Sequence, residues 1–349
     1  MKTFITLFTL FLLTITSFCQ SSNKGQLIVT KFVAPSIRGN KAGEDSLRRV
    51  SVYLPPGYNQ TKEHYPVIYF LHGLGIDDSL MIVYSNIIEL LDTAIQTCHI
   101  HPVIVVMPNS NTNFDGSFYT NSSYTGNWSD YISKDVVAYI DKDFRTIANR
   151  NSRGIAGHSM GGNGALKIAM LYPNIFGCVY ALSPAVLNWG DDFNLNSSSF
   201  KIAQNAKTKE DLDKDFYSAV FIDLSRTYSP DINKPPFYGD LPVTYTKDSM
   251  IVDSEVVKQW EANFPINMIE THLRALKSLT ALKLDWGRND EFSHIPSSCL
   301  QFSKKLEAYG VKHFAEEYFG THTNKLADAN GRIYTEMLPF FDAYLKQNK

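Results

Sequence analysis

The chain predicts an α/β fold, a mostly parallel central sheet flanked by helices, and three observations carry that expectation. The apolar runs at 65–71 (YPVIYFL) and 103–107 (VIVVM) have the composition of strands buried on both faces. Stretches with helical spacing alternate with such runs, the order expected when parallel strands are joined by crossover helices. In mid-chain a short apolar run, Gly154-Ile155-Ala156, leads through Gly157-His158-Ser159-Met160-Gly161 into a helix-like segment ending near Tyr172.

The remaining elements follow from their own residues. Segments 26–33 and 49–54 alternate apolar and polar side chains and read as an antiparallel edge, closed by the turn Pro55-Pro56-Gly57-Tyr58. Residues 80–95 have helical periodicity. Residues 128–144 read as a second amphipathic helix with Ser129 or Asn127 as N-cap. Strands are expected at 176–183, 281–286 and 312–319, and helices at 296–309 and 332–346. Between 188 and 265 the rhythm fails. That stretch is rich in Asn, Asp, Ser, Lys and Pro and is expected to be a cap-like insertion in a domain spanning 20–349. Its aromatics (Trp189, Phe193, Phe216, Tyr217, Phe237, Tyr238, Trp260) are candidates to shape a cleft; the alternative is an ordered surface excursion.

The first residues, Met1-Lys2-Thr3 and an apolar run to Ile15, have the form of a secretory signal. Ser17 and Cys19 stand at the −3 and −1 positions of a cut before Gln20, so a secreted or periplasmic location is expected. A lipoprotein acylated at Cys19 ranks second, because Phe18 is bulky for the preceding position. No later run is long enough to span a bilayer. Lys+Arg 33 against Asp+Glu 35 gives a formal charge of −2, and no basic run is present to attract nucleic acid. Without the first 19 residues three cysteines remain, an odd number, none at metal-ligand spacing. Cys178 falls in an apolar run and is expected in the core.

The mid-chain motif has the form of a nucleophile elbow. A sharp turn between strand and helix would hold Ser159 in a strained backbone, with small neighbours permitting close approach. Ser159 Oγ would then stand at the positive end of a helix. A serine needs a base, and the base an orienting carboxylate. In the chain order nucleophile, acid, base, only His272, His294, His313 and His322 follow Ser159. His272 lies in a helical run, His294 opens a helix and His313 lies in a strand. His322, in the loop Gly320-Thr321-His322-Thr323-Asn324 after the last strand, is the candidate base. Asp290, on the loop beyond strand 281–286, is the candidate acid, with Glu291 as fallback and helix capping as the alternative role. Asp285 belongs to the strand. Candidate donors to a developing oxyanion are the amides of Met160 and of Leu74, the latter in His72-Gly73-Leu74-Gly75.

RRVSVYLPPGY, YPVIYFLHGLG, SFYTNSSYTGNW and RGIAGHSMGGNGALKIAMLYPNIFG together resemble the esterase family of α/β hydrolases. That family includes esterase D (S-formylglutathione hydrolase), feruloyl esterases, enterochelin esterases and the antigen 85 mycolyltransferases. The match is dense from about residue 48 to 184 and thinner from 280 onward. The resemblance implies an α/β-hydrolase fold, Ser159 as nucleophile, Asp290 as acid, His322 as base, and Leu74 and Met160 as oxyanion donors. It implies ester hydrolysis without cofactor or metal, on a small-molecule or polysaccharide-linked substrate such as a feruloyl or acetyl ester. Alternatives are acyl transfer to a sugar hydroxyl and a non-catalytic carbohydrate-binding role on the same scaffold.

Overall fold

The computed structural model describes residues 24–347. The expected signal segment, its cut before Gln20 and Cys19 lie outside the described residues. Eight strands form one sheet: β1 (Gln26–Val33), β2 (Leu47–Leu54), β3 (Val67–Leu71), β4 (Ile104–Pro108), β5 (Arg153–His158), β6 (Cys178–Leu182), β7 (Ala281–Gly287) and β8 (Phe314–Tyr318). Their spatial order is β1-β2-β4-β3-β5-β6-β7-β8. β2 runs antiparallel to both β1 and β4, and every other neighbouring pair is parallel. This is the α/β-hydrolase arrangement. Along β3 the side chains divide between two cores: Val67, Tyr69 and Leu71 on one face, Ile68 and Phe70 on the other. Both faces are covered, which is why this run is apolar throughout. The strand starts two residues later than expected, at Val67, because Pro66 has no N–H for the ladder.

The segment expected as one helix at 80–95 is two, α1 (Asp78–Ser85) and α2 (Ile87–Gln96), broken at Asn86 with φ 47°. The 128–144 helix carries a π-helical stretch, Tyr131–Val136, ahead of α3 (Val137–Asp143). Neither proposed cap acts there through its side chain. Ser129 Oγ instead donates to the Tyr119 carbonyl at 2.5 Å. α4 (Met160–Leu171) follows the mid-chain motif. Cys178 and Cys299 are buried free thiols, and burial pushes the Cys178 thiol up to about 12. Among the described residues no helix is long and apolar enough to cross a membrane, and no cluster of metal-ligating side chains forms.

Residues 188–265 fold into the helices Ser199–Asn205, Lys209–Leu212, α5 (Phe216–Tyr228) and Ser254–Glu261, with a hairpin of Val243–Tyr245 and Met250–Val252. Most of these helices are too short to show periodicity, and their sequence signal lies in their caps. Thr208 and Asp211 form a capping box, Asp215 accepts from the Ser218 amide, and Asp253 accepts from those of Glu255 and Val256. Of the seven aromatics expected to shape a cleft, Trp189, Phe193 and Trp260 instead pack with Phe200, Phe221 and Phe264 into the hydrophobic core that covers one face of the sheet. Phe216 and Tyr217 line the hollows beside Ser159 at the sheet's carboxyl edge.

Asp223, on α5, is buried, and neither carboxyl oxygen is hydrogen-bonded among the described residues. Burial holds its carboxyl well above the usual range, against the opposing charge of Arg226. With a raised folded value, the stability linked to its protonation is present in acid and lost as pH rises through that value. Asp223→Asn removes the ionisation and is expected to gain on the order of 1–2 kcal/mol over wild type by neutral pH. Calorimetry of both proteins across pH checks this: the gain must grow with pH, and a constant difference contradicts it.

Candidate active site

β5 ends at His158 and α4 begins at Met160, so the whole reversal falls on Ser159, at φ 57° and ψ −119°. Such a conformation costs about 1–3 kcal/mol and survives only where its surroundings enforce it. Here the Ser159 amide donates to Leu182 O at 2.9 Å, and its carbonyl accepts from Asn163 and Ala185, each at 3.1 Å. The flanking glycines are required by contact. A Cβ on Gly157 would stand 2.1 Å from Gly161 O, and one on Gly161 would stand 2.2 Å from Leu71 O.

Asp290 and His322 reach this edge from the loops after β7 and β8. His322 Nδ1 lies 2.7 Å from Asp290 Oδ2, with both side chains buried. An ionised carboxylate only accepts, so Nδ1 carries the proton and Nε2 keeps its lone pair. The backbone of residue 322 is fixed at both ends: its amide donates to Glu291 Oε2, and its carbonyl accepts from His158 Nε2, both at 2.9 Å. Burial, reinforced by His322, pushes the His158 imidazole down to about 3, which keeps it a neutral donor to that carbonyl. Glu291, the fallback acid, therefore holds the loop backbone and not the imidazole. Asp290 is no helix cap either: α6 (His294–Ala308) is capped by Asp192, which accepts from the amides of Ser293 and His294. Asp285 lies in β7 and pairs with Arg332 and Tyr180.

Leu74 and Met160 meet beside Ser159. A Cβ on Gly116 would touch both side chains, at 2.4 and 2.6 Å. The Met160 amide is the first of its helix and has no intrahelical acceptor. The Leu74 amide has no backbone acceptor among the described residues, and its direction is set by His72. Ser110 N–H donates to His72 Nε2 at 2.9 Å, so the ring's proton is on Nδ1, which donates to Gly73 O at 2.8 Å. In a trans peptide the N–H points opposite to the C=O, so pinning the Gly73 carbonyl aims the Leu74 N–H the other way. Burial pushes His72 down to about 4 and so preserves this neutral arrangement. His72 was visible in the sequence only as the first letter of an H-G-x-G segment.

Ser159 opens on two hollows. One, a cavity of about 520 Å³, is lined by His158, His322, Phe70, Met81, Tyr84 and Leu326. The other, about 30 Å³, is bounded by Leu74, Phe118, Met160, Val186, Val220 and His294. Phe216 and Phe292 border both, with ring centroids 5.0 Å apart. The smaller recess contains a second imidazole–carboxylate pair that the sequence reading set aside. His294 Nδ1 lies 2.9 Å from Asp192 Oδ1, and its buried Nε2 has no partner among the described residues. Burial alone would raise Asp192, yet hydrogen bonds from His294 and Tyr217 hold it well below the usual range. Nothing in the sequence pairs positions 192 and 294. Of the other candidates, His313 precedes its strand and contacts Ser303 Oγ at 2.8 Å, and His272 bonds Met268 O at 2.9 Å.

The family model described as "Putative esterase" matches residues 44–326. Esterase Rv1288 of Mycobacterium tuberculosis is 38% identical over 128 residues, 35% of this chain and 26% of that protein. An endo-1,4-beta-xylanase/feruloyl esterase of Xylanibacter ruminicola is 33% identical over 136 residues, 38% of this chain and 19% of its own. The matches thus cover about a quarter or less of these relatives. Among solved structures, a ferulic acid esterase aligns with TM-score 0.63 at 19% identity, over 92% of this chain and 99% of its own. The S-formylglutathione hydrolase FrmB of Staphylococcus aureus aligns with TM-score 0.56 at 20% identity, over 90% and 100% of the two chains. With a family match across most of its length and the eight-stranded sheet order, the chain belongs to this esterase family and has the α/β-hydrolase fold.

Proposed function

We propose that the protein is an exported serine carboxylesterase acting on a carbohydrate-linked ester, feruloyl or acetyl, through Ser159, His322 and Asp290. The observation that carries this reading is the 2.7 Å His322–Asp290 contact at a hollow whose wall includes Ser159. His322 Nε2 takes the serine proton as Oγ attacks the acyl carbon, and Asp290 holds the imidazole and stabilises its charged form. The amides of Leu74 and Met160 receive the oxyanion, a contribution of about 3–4 kcal/mol per donor in comparable sites. The imidazolium then protonates the leaving alkoxide, which must therefore lie on the His322 side, in the larger hollow. The acyl group faces the smaller recess, and an acyl group as large as feruloyl requires Phe216 and Phe292 to move apart. Water repeats the sequence to release the acid. Residues 188–265 serve as the cap that supplies Phe216 and Tyr217. Relatives named as feruloyl esterases support the substrate class.

The test is turnover of p-nitrophenyl acetate, acetylated xylan and methyl ferulate by wild type and Ser159→Ala, with fluorophosphonate labelling of both. Loss of turnover and of labelling in the variant is expected, by on the order of 10⁴ or more in kcat. Equal turnover by the two proteins overturns the reading. Free acid as the product, with or without an added sugar acceptor, separates hydrolysis from transfer.

A further inference from the structure

On the far side of α4 from the elbow lies a cavity of about 460 Å³ that the proposed reaction does not use. Its floor holds Lys167, which is 1% exposed and forms no ion pair among the described residues. The ammonium has three donors and one hydrogen-bond acceptor, Thr120 Oγ1. The Thr120 hydroxyl itself donates to Phe118 O at 2.8 Å, so its lone pair is what Lys167 meets. The face of Tyr228, 4.8 Å from Nζ, is the other contact. The buried amine thus has N–H donors to spare, with Thr120 Oγ1 its one hydrogen-bond acceptor among the described residues. Burial alone pushes this amine down to about 7, and a buried charge is tolerated only when paired or hydrogen-bonded.

The walls above Lys167 are of a different chemistry. Asn121, Asn263, Asn267, Thr271 and His272 line the mouth. Asn263 and Asn267 spend their amide nitrogens on the carbonyls of Gln259 and Glu261, which leaves their oxygens as acceptors. Asp130, the carboxylate that accepts from the Tyr172 hydroxyl at the rim, is already paired with Lys134 at 2.9 Å. The site therefore offers a buried amine with N–H donors to spare at its base and hydroxyl-accepting amide oxygens at its entrance.

We infer that this pocket binds a hydroxylated carboxylate of uronic-acid type, its carboxylate on Lys167 and its ring hydroxyls on Asn263 and Asn267. The site is separate from the esterase chemistry and does not depend on it. The ligand gives Lys167 a counter-charge as well as acceptors, which an uncharged sugar cannot do, and its hydroxyls donate to the entrance amide oxygens, which a bare carboxylate cannot do.

The experiment is thermal denaturation of the purified protein with sodium D-glucuronate, D-glucose or sodium acetate at matched ionic strength. Glucuronate is expected to raise Tm by about 2 °C or more, and the other two by much less. Lys167→Met keeps the length and bulk of the side chain and should abolish the glucuronate shift without lowering the ligand-free Tm. If Lys167→Met does not fold, the double variant Asn263→Ala/Asn267→Ala, at the mouth of the cavity, should lose most of the shift instead. A glucuronate effect no larger than that of acetate or glucose, or one that survives these substitutions, overturns the inference.

Discussion

Replacing His322 with alanine is expected to lower kcat by on the order of 10⁴–10⁶, whereas His294→Ala is expected to change it less than about tenfold. The contrast is informative because two imidazole–carboxylate pairs border Ser159, and neither Nε2 has a hydrogen-bond partner among the described residues. Only His322 lines the larger hollow with Ser159, and its ring centroid stands 4.6 Å from that of His158, the residue preceding the serine. His294 lines the smaller recess instead, and under the proposed mechanism its loss is expected to alter which ester is preferred and not how the hydroxyl is activated. Steady-state kinetics on p-nitrophenyl acetate for the two variants decides the matter. A His294→Ala enzyme as inactive as His322→Ala would transfer the base role to the Asp192-linked imidazole.

The second large effect concerns stability. Asp285 is fully buried in β7 and is served by Arg332 Nε at 2.8 Å and the Tyr180 hydroxyl at 2.6 Å. Burial raises its carboxyl despite the opposing charge of Arg332. Arg332→Met leaves this carboxylate without its counter-charge, a loss of about 3–5 kcal/mol. The sign of the pH dependence follows from the raised value. A protonated Asp285 needs no cation, so the deficit is smallest in acid and grows as pH rises through the folded-state value. Urea denaturation of both proteins in mildly acidic and mildly basic buffer tests it. A deficit that shrinks toward basic pH would contradict the ion-pair account.

The parts of the fold that were legible in the sequence are those whose signal is local. The buried runs at β3 and β4 could be read because both faces are apolar, and the Ser159 turn because each glycine around it answers a backbone contact. Asp290 and His322 could be named as candidates because chain order and loop position left few competitors, and their side chains do meet. What escaped depended on partners distant in sequence. The break at Asn86 is one left-handed residue inside an unbroken apolar pattern. Helix 128–144 contains a π stretch that no spacing rule marks. Asp192 meets residues 293 and 294 about a hundred positions away, and His72 became a positioning residue only once Ser110 and Gly73 O were seen on its two nitrogens.

The four bonds converging on Asp192, from the amides of residues 293 and 294, the His294 ring and the Tyr217 hydroxyl, have a consequence for access. They rivet the roof over the serine to the first turn of α6, so the roof cannot lift as a unit without unfastening that turn and exposing an anion's donors together. Widening of the smaller recess is left to the two phenylalanines, which act as door leaves swinging in a fixed frame. The frame should then exchange its amide hydrogens nearly as slowly as the central sheet, while the rings at 216 and 292 flip freely within it.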